Sequence, residues 1–404
     1  MAGQEGKLHK KPRVYMDYAA TTPVDKRVLK AMLPFFSEKF GNPASMHSFG
    51  QEAKQALDMA RMVLAKALGA EPKEIVFTSS ATESNNLALK GITLANKIKG
   101  RPFDSAQGGH IIISSIEHDC VLSSAQWLEK QGFEITKLNV NKYGLIDLEE
   151  LKKTIKQETI LVSIMHANNE IGVIQPIKEI GWICKEKNIV FHTDAAQSFG
   201  KIPINANEMN IDLLTASSHK MYGPKGVACL YIRSGIKIEP IIHGGGQEFG
   251  LRSSTVNVAG IVGFAKAVEF CENEMEKEGT RLENLRDKLI SGVLENIPHS
   301  YLNGPAIKRL PNNINFRFDF VEGESIIAML DFYGIAASTG SACSSPKLQP
   351  SHVLLALGLK PGQAHGSLRL SLGRWTTEKE IDYVLEILPG VIKKLREISP
   401  FKDV

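Results

Sequence analysis

Apolar residues recur at helix and strand spacings along most of the chain. Between Gln51 and Leu68 they follow the spacing of an amphipathic helix, which Gly69 would end. Up to about residue 270, helical patterns alternate with short apolar runs, which predicts a mainly parallel sheet flanked by helices. The predicted strands are Glu74–Phe77, His110–Ser114, Ile160–Met165, Val190–Thr193, Leu213–Ala216 and Val227–Ile232, and the predicted helices include Glu83–Ile98, Asp147–Lys156 and Ile177–Lys187.

After about Val256 the pattern changes to long helical stretches with a break predicted at Gly279. We expect a large α/β domain over residues 26–275, a smaller α+β domain over 276–404, and an N-terminal segment, 1–25, that joins the small domain. The elements predicted in this part are helices Val256–Lys277, Thr280–Ile297 and Thr377–Arg396, and strands Asn313–Arg317 and Ser367–Ser371.

Composition narrows the class of protein. The 404 residues are 43% hydrophobic and 23% charged, which is typical of a soluble globular protein. A net charge of +4 is too balanced for a nucleic-acid-binding surface, and no apolar run is long enough to span a membrane. The start has no secretory h-region. The cysteines are odd in number and form no C-x-x-C pair, which argues against disulfides and structural zinc; they are Cys120, Cys184, Cys229, Cys271 and Cys343. We therefore expect a cytoplasmic protein.

A stretch rich in hydroxyl side chains follows the first predicted strand, from Thr78 to Thr82, directly before a helix. Backbone N–H groups at a helix N-terminus, together with Ser and Thr hydroxyls, suit a phosphate. An ordinary N-cap at Ser80 or Thr82 is the alternative.

Asp194 and Lys220 each follow an apolar strand, 26 residues apart. Open α/β sheets bind ligands at the carboxyl ends of their strands. A carboxylate there can pair with a protonated pyridine nitrogen, and a lysine can form a Schiff base. The alternatives are a helix-capping Asp194 and a solvated Lys220.

Cys343 lies among Gly, Ser and Ala residues, which is a composition typical of a solvated loop. The other four cysteines lie in apolar or helical patterns and are interpreted as core residues. Cys343 is therefore the candidate nucleophile.

Arg369 interrupts an apolar strand pattern, and it is either a grip for a substrate carboxylate or a surface arginine with a buried stem. The Gly-rich stretch Gly244–Gly246 allows a ligand or a neighbouring subunit to approach the backbone closely. It lacks the lysine of a nucleotide-binding P-loop.

Taken in order, these segments resemble the cysteine desulfurases, which are class-V aminotransferases with the type I pyridoxal-phosphate-dependent transferase fold. The resemblance covers nearly the whole chain, from Val14 to Arg374. Its distinctive stretches are Gly41-Asn42-Pro43-Ala44-Ser45, Glu117-His118, Asn168-Asn169-Glu170-Ile171-Gly172 and Ser217-Ser218-His219-Lys220.

The resemblance implies the following roles. Lys220 would carry pyridoxal 5'-phosphate, His118 would stack on its ring and assist proton transfer, and Cys343 would take the substrate sulfur as a persulfide. Arg369 and Asn169 would bind the substrate. The cofactor-binding set would be Ala81, Thr82, His118, Asn169, Asp194, Gln197, Ser217, His219 and Lys220, joined by Thr255 of the partner subunit in a homodimer; no metal is expected.

The stretch around Cys343 resembles the long-loop subgroup, which serves iron–sulfur cluster assembly. The resemblance therefore implies mobilisation of sulfur from L-cysteine to a sulfur-acceptor protein such as an iron–sulfur scaffold. Arg101–Gly109 looks inserted, and Ser254 replaces a common glycine, which affects loop geometry alone. Selenocysteine lyase, another class-V aminotransferase and a non-catalytic scaffold remain as alternatives, and the identity of the acceptor stays open.

Overall fold

The computed structural model describes residues 12–98, 109–339 and 350–400, which contain twelve strands and twelve α-helices. The strands are β1 (Val14–Tyr15), β2 (Ile75–Thr78), β3 (His110–Ser114), β4 (Glu134–Leu138), β5 (Thr159–Ser163), β6 (Val190–Asp194), β7 (Leu213–Ser217), β8 (Ala228–Ile232), β9 (Ser300–Leu302), β10 (Asn313–Phe318), β11 (Ile335–Ala336) and β12 (Ser367–Ser371). The helices are α1 (Lys26–Met32), α2 (Pro34–Ser37), α3 (Ser48–Leu68), α4 (Ala81–Ile98), α5 (Asp119–Lys130), α6 (Leu148–Thr154), α7 (Ile177–Glu186), α8 (Val258–Asn296), α9 (Gly323–Phe332), α10 (His352–Ala356), α11 (Pro361–His365) and α12 (Glu378–Ile398).

The central sheet has seven strands in the order β2-β8-β7-β6-β5-β3-β4. Strands β4, β3, β5, β6 and β7 run parallel, β8 runs antiparallel to β7, and β2 at the edge runs antiparallel to β8. Every residue of β3, β7 and β8 is buried, because helices cover both faces of the sheet. The predicted α/β fold with a mainly parallel sheet is confirmed.

Two hydrophobic clusters fill the space between this sheet and its helices. One joins α3 and α8 to the sheet through residues such as Leu64 and Phe264, and the other joins α4 and α5 through Leu87 and Val121. Each of these side chains is at most 1% exposed. Burying a side chain of this size contributes about 1.5–3 kcal/mol, so the sheet is held firmly from both faces.

A second unit packs around the antiparallel sheet β9-β10-β12. Its core joins the C-terminal half of α8 to β10 and α12 through Leu289, Phe316 and Leu388. The N-terminal strand β1 pairs in parallel with β11, and Asp17 forms a bridge with Ser371. The domain boundary expected between residues 275 and 276 stays a prediction.

One element prediction was wrong, and one strand of the central sheet was not predicted. Val258–Asn296 form one 39-residue helix, α8, and not two helices separated at Gly279. A glycine inside a helix lowers helix stability by only about 1 kcal/mol relative to alanine. The ion pair between Glu278 and Arg281, one turn apart, spans Gly279. The prediction also omitted β4, an edge strand whose residues are largely exposed or half-buried and so carry a weak apolar pattern. Within the described ranges, no helix combines the length and the apolar character needed to cross a membrane.

Candidate active site

Lys220 lies in the short 3-10 turn Ser218–Lys220, directly after β7 ends. Its Nζ donates hydrogen bonds to the carbonyl oxygens of Ala19 and Ala20, the latter at 2.7 Å. The amine is thus held at the carboxyl edge of the parallel strands by the N-terminal segment. A ligand that bonds to this amine would find it already oriented.

Asp194 is the last residue of β6, which is the parallel neighbour of β7. The residue is 5% exposed, and its carboxylate accepts two hydrogen bonds. Asn85 donates to Oδ2 at 2.7 Å, and the backbone N–H of Ala196 donates to Oδ1 at 2.9 Å. A buried carboxylate fixed in this way provides a negative charge at the same sheet edge as the amine of Lys220.

His118 caps the N-terminus of α5, in the segment that follows β3. Its Nδ1 accepts a hydrogen bond from the backbone N–H of Cys120 at 3.3 Å and lies 3.1 Å from Sγ of the same residue. The cap fixes the plane of the imidazole. The ring therefore comes from a third strand end of the same sheet edge.

Helix α4 begins at Ala81, and Thr82 lies in its first turn. The Ser80 hydroxyl accepts a hydrogen bond from the backbone N–H of Glu83 at 3.1 Å, so the capping role considered from the sequence is present. The remaining N–H groups of this first turn point along the helix axis and suit an anion. Capping by Ser80 is thus compatible with phosphate binding.

Ser217 and His219 flank the end of β7, and Ser217 is buried. The Nδ1 of His219 lies 3.1 Å from the hydroxyl of Thr21. Burial, with a smaller contribution from the charge of Lys220, lowers the pKa of His219 to about 4. The imidazole is therefore neutral at neutral pH and keeps a ring N–H to donate.

Gln197 donates from Nε2 to the carbonyl oxygen of Ala19 at 2.9 Å, which places it beside the oxygens that hold Lys220. Asn169 is half-buried, and its main-chain oxygen accepts from the guanidinium of Arg369 at 3.2 Å. These contacts bring both predicted ring-contacting residues to the same region as Lys220 and Arg369.

Arg369 lies on β12 and is 3% exposed. Its Nη2 pairs with Asp17 at 2.8 Å, while Nε is buried and has no hydrogen-bond partner among the described residues. A substrate carboxylate could use this unpaired donor, because an arginine presents its N–H groups as a fork. The surface alternative considered for Arg369 is therefore wrong.

The predicted roles of Thr255 and Cys343 do not depend on contacts among the described residues of one chain. Thr255 is exposed on its loop and borders a cavity of about 150 Å³ that Ser79 and Gly226 also line. Its predicted role concerns a second copy of the chain. Cys343 lies in residues 340–349, outside the described residues, so its reach to Lys220 stays a prediction.

Three further residues at this edge were missed from the sequence. Asn85 donates hydrogen bonds to Asp194 and Cys120, and Cys120 contacts His118. Glu117 is completely buried, accepts hydrogen bonds from Ser114 at 2.5 Å and from the backbone of Met165 at 2.8 Å, and has its pKa raised to about 8 by burial. Glu117 stands beside the predicted His118, and that adjacency was the available signal.

The core interpretation of the cysteines holds for three of the four. Cys184, Cys229 and Cys271 are buried, and burial raises the pKa of each thiol, to about 12 for the last two. Such thiols are poor nucleophiles at neutral pH. Cys120 differs, because it is half-buried and contacts His118 and Asn85.

This set of groups fits pyridoxal phosphate. The amine of Lys220 suits its aldehyde, the buried carboxylate of Asp194 suits a protonated pyridine nitrogen, and the N-terminus of α4 suits its phosphate. The buried Nε of Arg369 adds a donor for an amino-acid carboxylate. Fold and site together define the class of pyridoxal-phosphate-dependent transferases.

Comparisons with known proteins agree with this class. The model of the aminotransferase class-V family matches residues 14–384. The cysteine desulfurase IscS of Dictyoglomus turgidum is 54% identical over 97% of this chain and 98% of its own length, and that of Methanosarcina thermophila is 54% identical over 96% and 94%. A solved NifS-like protein superposes with a TM-score of 0.87 at 42% identity, covering 95% of this chain and all of its own.

A solved structure described as SspA in complex with cysteine also superposes, with a TM-score of 0.78 at 40% identity over 91% of this chain and all of its own. The chain belongs to the class-V aminotransferase family and, within it, to the cysteine desulfurases. Its cofactor is pyridoxal phosphate.

Proposed function

We propose that this protein converts L-cysteine to L-alanine and transfers the sulfur to Cys343 as a persulfide. The observation that carries the proposal is the amine of Lys220, held at the sheet edge next to the strand that ends in the buried carboxylate of Asp194. Overall, the Cys343 thiol and cysteine become a persulfide and alanine, so atoms and electrons balance without an external oxidant.

When bound, pyridoxal phosphate supplies an electron sink for the bonds to the substrate Cα. Lys220 would bind its aldehyde and, once displaced by the substrate amine, hold the Cα proton at Nζ. Asp194 would pair with the pyridine nitrogen. Asn169, Gln197 and His118 would contact the ring.

The phosphate would be held at the N-terminus of α4 by Ala81 and Thr82, together with Ser217 and His219. The neutral imidazole of His219 suits this role, because it can donate a hydrogen bond without adding a further charge beside Lys220. Thr255 of the partner subunit would complete the set.

Arg369 would bind the substrate carboxylate through its buried donors, with Asp17 sharing the guanidinium. His118 would hold a proton near the substrate sulfur, and the thiolate of Cys343 would attack that sulfur. The C–S bond breaks as the S–S bond forms, and alanine leaves after Cβ is protonated.

Three variants test this function. With purified protein and L-cysteine, alanine and protein-bound persulfide are measured beside the absorption spectrum. Lys220→Ala should lose the cofactor absorption and alanine formation, and Cys343→Ser should keep the absorption and lose the persulfide. Cys184→Ala serves as the control thiol and should behave as the parent.

Two results would contradict the assignment. If the parent protein bound no pyridoxal phosphate, the proposed function as a whole would be contradicted. Undiminished release of alanine and sulfide by Cys343→Ser would leave the cofactor site intact and reject Cys343 as the acceptor.

We also propose a homodimer with shared active sites that works in the cytoplasm and passes sulfur to an acceptor protein such as an iron–sulfur scaffold. Large exposed apolar side chains on helices α2 and α3, in the connections between α1, α2 and α3, and in the loop after β8 support a second copy as the partner of this surface. They are Leu33, Phe36, Phe40, Met46, Phe49, Met59, Met62 and Phe249, each at least 51% exposed.

A further inference from the structure

Two side chains, Asn85 and Cys120, connect the proposed ring-facing carboxylate of Asp194 to the proposed ring-facing imidazole of His118. Asn85, on α4 and fully buried, donates from Nδ2 to Asp194 at 2.7 Å and to the Sγ of Cys120 at 3.1 Å. The same Sγ lies 3.1 Å from Nδ1 of His118. The path Asp194–Asn85–Cys120–His118 therefore joins β6, α4 and the first turn of α5.

The directions of these hydrogen bonds follow from the chemistry of each group. An ionised carboxylate only accepts, so Asp194 requires the amide nitrogen of Asn85 to face it. That nitrogen has two hydrogens, and the second points to the Cys120 sulfur. The sulfur accepts from Asn85 and remains able to donate its own S–H.

The backbone contact decides where the S–H points. Nδ1 of His118 accepts from the backbone N–H of Cys120, so its lone pair faces this residue, but at 3.3 Å the bond is long and by itself holds the tautomer only weakly. The thiol then donates to Nδ1 as well, and a neutral ring carries its proton on Nε2. An imidazolium paired with a Cys120 thiolate would instead place two hydrogens against each other at the cap.

We propose that Cys120 is a positioning residue: its thiol fixes His118 in the neutral tautomer with the proton on Nε2 and couples that ring, through Asn85, to Asp194. The inference deepens the proposed function, because it assigns the atom at which His118 holds its proton. It also gives this half-buried thiol a role distinct from that of Cys343.

A thiol or a hydroxyl at residue 120 can accept a hydrogen bond from Asn85 and donate one to His118, whereas a methyl group can do neither. In Cys120→Ala the second amide hydrogen of Asn85 would lose its acceptor, and Nδ1 of His118 would lose the thiol while keeping the long 3.3 Å backbone bond. The Oδ1 of Asn85 is also buried without a partner among the described residues, so loss of the sulfur would leave this amide with its bond to Asp194 alone among them. The imidazole would then populate both tautomers.

The experiment compares parent, Cys120→Ala and Cys120→Ser, with Cys184→Ala as the control for loss of a buried thiol. The His118 tautomer is determined from ¹⁵N spectra of histidine-labelled protein, with the signals assigned by their loss in His118→Gln, both with and without pyridoxal phosphate. Alanine formation from L-cysteine gives kcat and KM.

In the parent and in Cys120→Ser, the proton should reside on Nε2. Cys120→Ala should show a mixture of tautomers and a kcat lowered roughly tenfold, the effect of one lost hydrogen bond, with KM within about twofold. Cys120→Ser should recover most of kcat, and the control should match the parent.

A parent ring protonated on both nitrogens, or on Nδ1, would overturn the inference. So would Cys120→Ala with an unchanged tautomer and unchanged kcat. If the parent makes no alanine, the proposed function fails, while the tautomer spectra still decide the role of Cys120.

Discussion

Glu117 is a carboxylic acid kept neutral inside the protein, one residue before His118. Burial raises its pKa from an ordinary value of 4.5 to about 8, against the hydrogen bonds from Ser114 and Met165. The folded state therefore holds a proton that the unfolded chain releases above pH 4.5. Stability from this group is fully present below pH 4.5 and is lost as the pH rises to about 8.

Replacement of Glu117 by glutamine, which cannot ionise, should remove the loss of folding stability with rising pH. Between pH 5 and pH 8, the free energy of unfolding of Glu117→Gln should gain on that of the parent by about 1 kcal/mol per pH unit. Urea denaturation at fixed protein concentration measures it. Glu129→Gln, an exposed acid on α5, is the control and should follow the parent at every pH. A constant difference between Glu117→Gln and the parent would mean that Glu117 is ionised in the folded protein.

Arg369 should act through the geometry of its guanidinium and not through charge alone. Arg369→Lys keeps the charge but loses the fork, so KM for L-cysteine should rise at least about tenfold, with kcat changed less than about threefold. Arg317→Lys, on the adjacent strand β10 and stacked on Tyr301, is the matched control and should leave KM unchanged. Steady-state kinetics separate the two parameters, and equal KM values would argue against carboxylate binding by Arg369.

The sequence allowed prediction of the residues at strand ends, because apolar runs locate the ends and open sheets bind ligands there. Asp194 and Lys220 were found in this way. Asn85 and Cys120 could not be found, since they are 35 residues apart and meet only when α4 packs against α5. A contact of this kind leaves no periodic signal in either helix.

Among the elements, α8 packs into the core of the central sheet with its first half and into the core of the second unit with its last half. Gly279 lies between the two halves and has open space beside its Cα. A Cβ at Gly279 would meet no atom within 4 Å. Gly279→Ala should therefore raise the free energy of unfolding by about 0.5–1 kcal/mol, because alanine loses less backbone entropy in a helix. Urea denaturation measures the change.

Gly181 on α7 provides the contrast, because a Cβ there would lie 2.0 Å from the carbonyl oxygen of Met209. Gly181→Ala should destabilise the protein, by about 1–3 kcal/mol. If both variants changed stability in the same direction, helix propensity would not explain the effect at Gly279.

Most elements followed from apolar periodicity, including β3 and β12, whose bounds were predicted to the residue. The break at Gly279 was predicted from local propensity, and packing of both halves of α8 into separate cores outweighs that propensity. Tertiary contacts of this kind lie outside what a local pattern records.

At the scale of the whole molecule, the exposed apolar side chains of α3 should mark the contact with a second copy. The double variant Met59→Glu and Met62→Glu places two charges on this surface and should halve the sedimenting mass at micromolar concentration. Trp182→Glu, equally exposed on α7, is the control and should sediment as the parent. A parent that sediments as a single chain would contradict the homodimer.

The segment from β1 to Ala20 is translated well before the residues that it contacts. Asp17 meets Arg369 across 352 positions, and the carbonyls of Ala19 and Ala20 hold Lys220 across about two hundred. A ribosome-bound chain therefore cannot complete the pocket until β12 has emerged. A nascent chain should therefore gain its grip on the substrate carboxylate only after β12 has been translated.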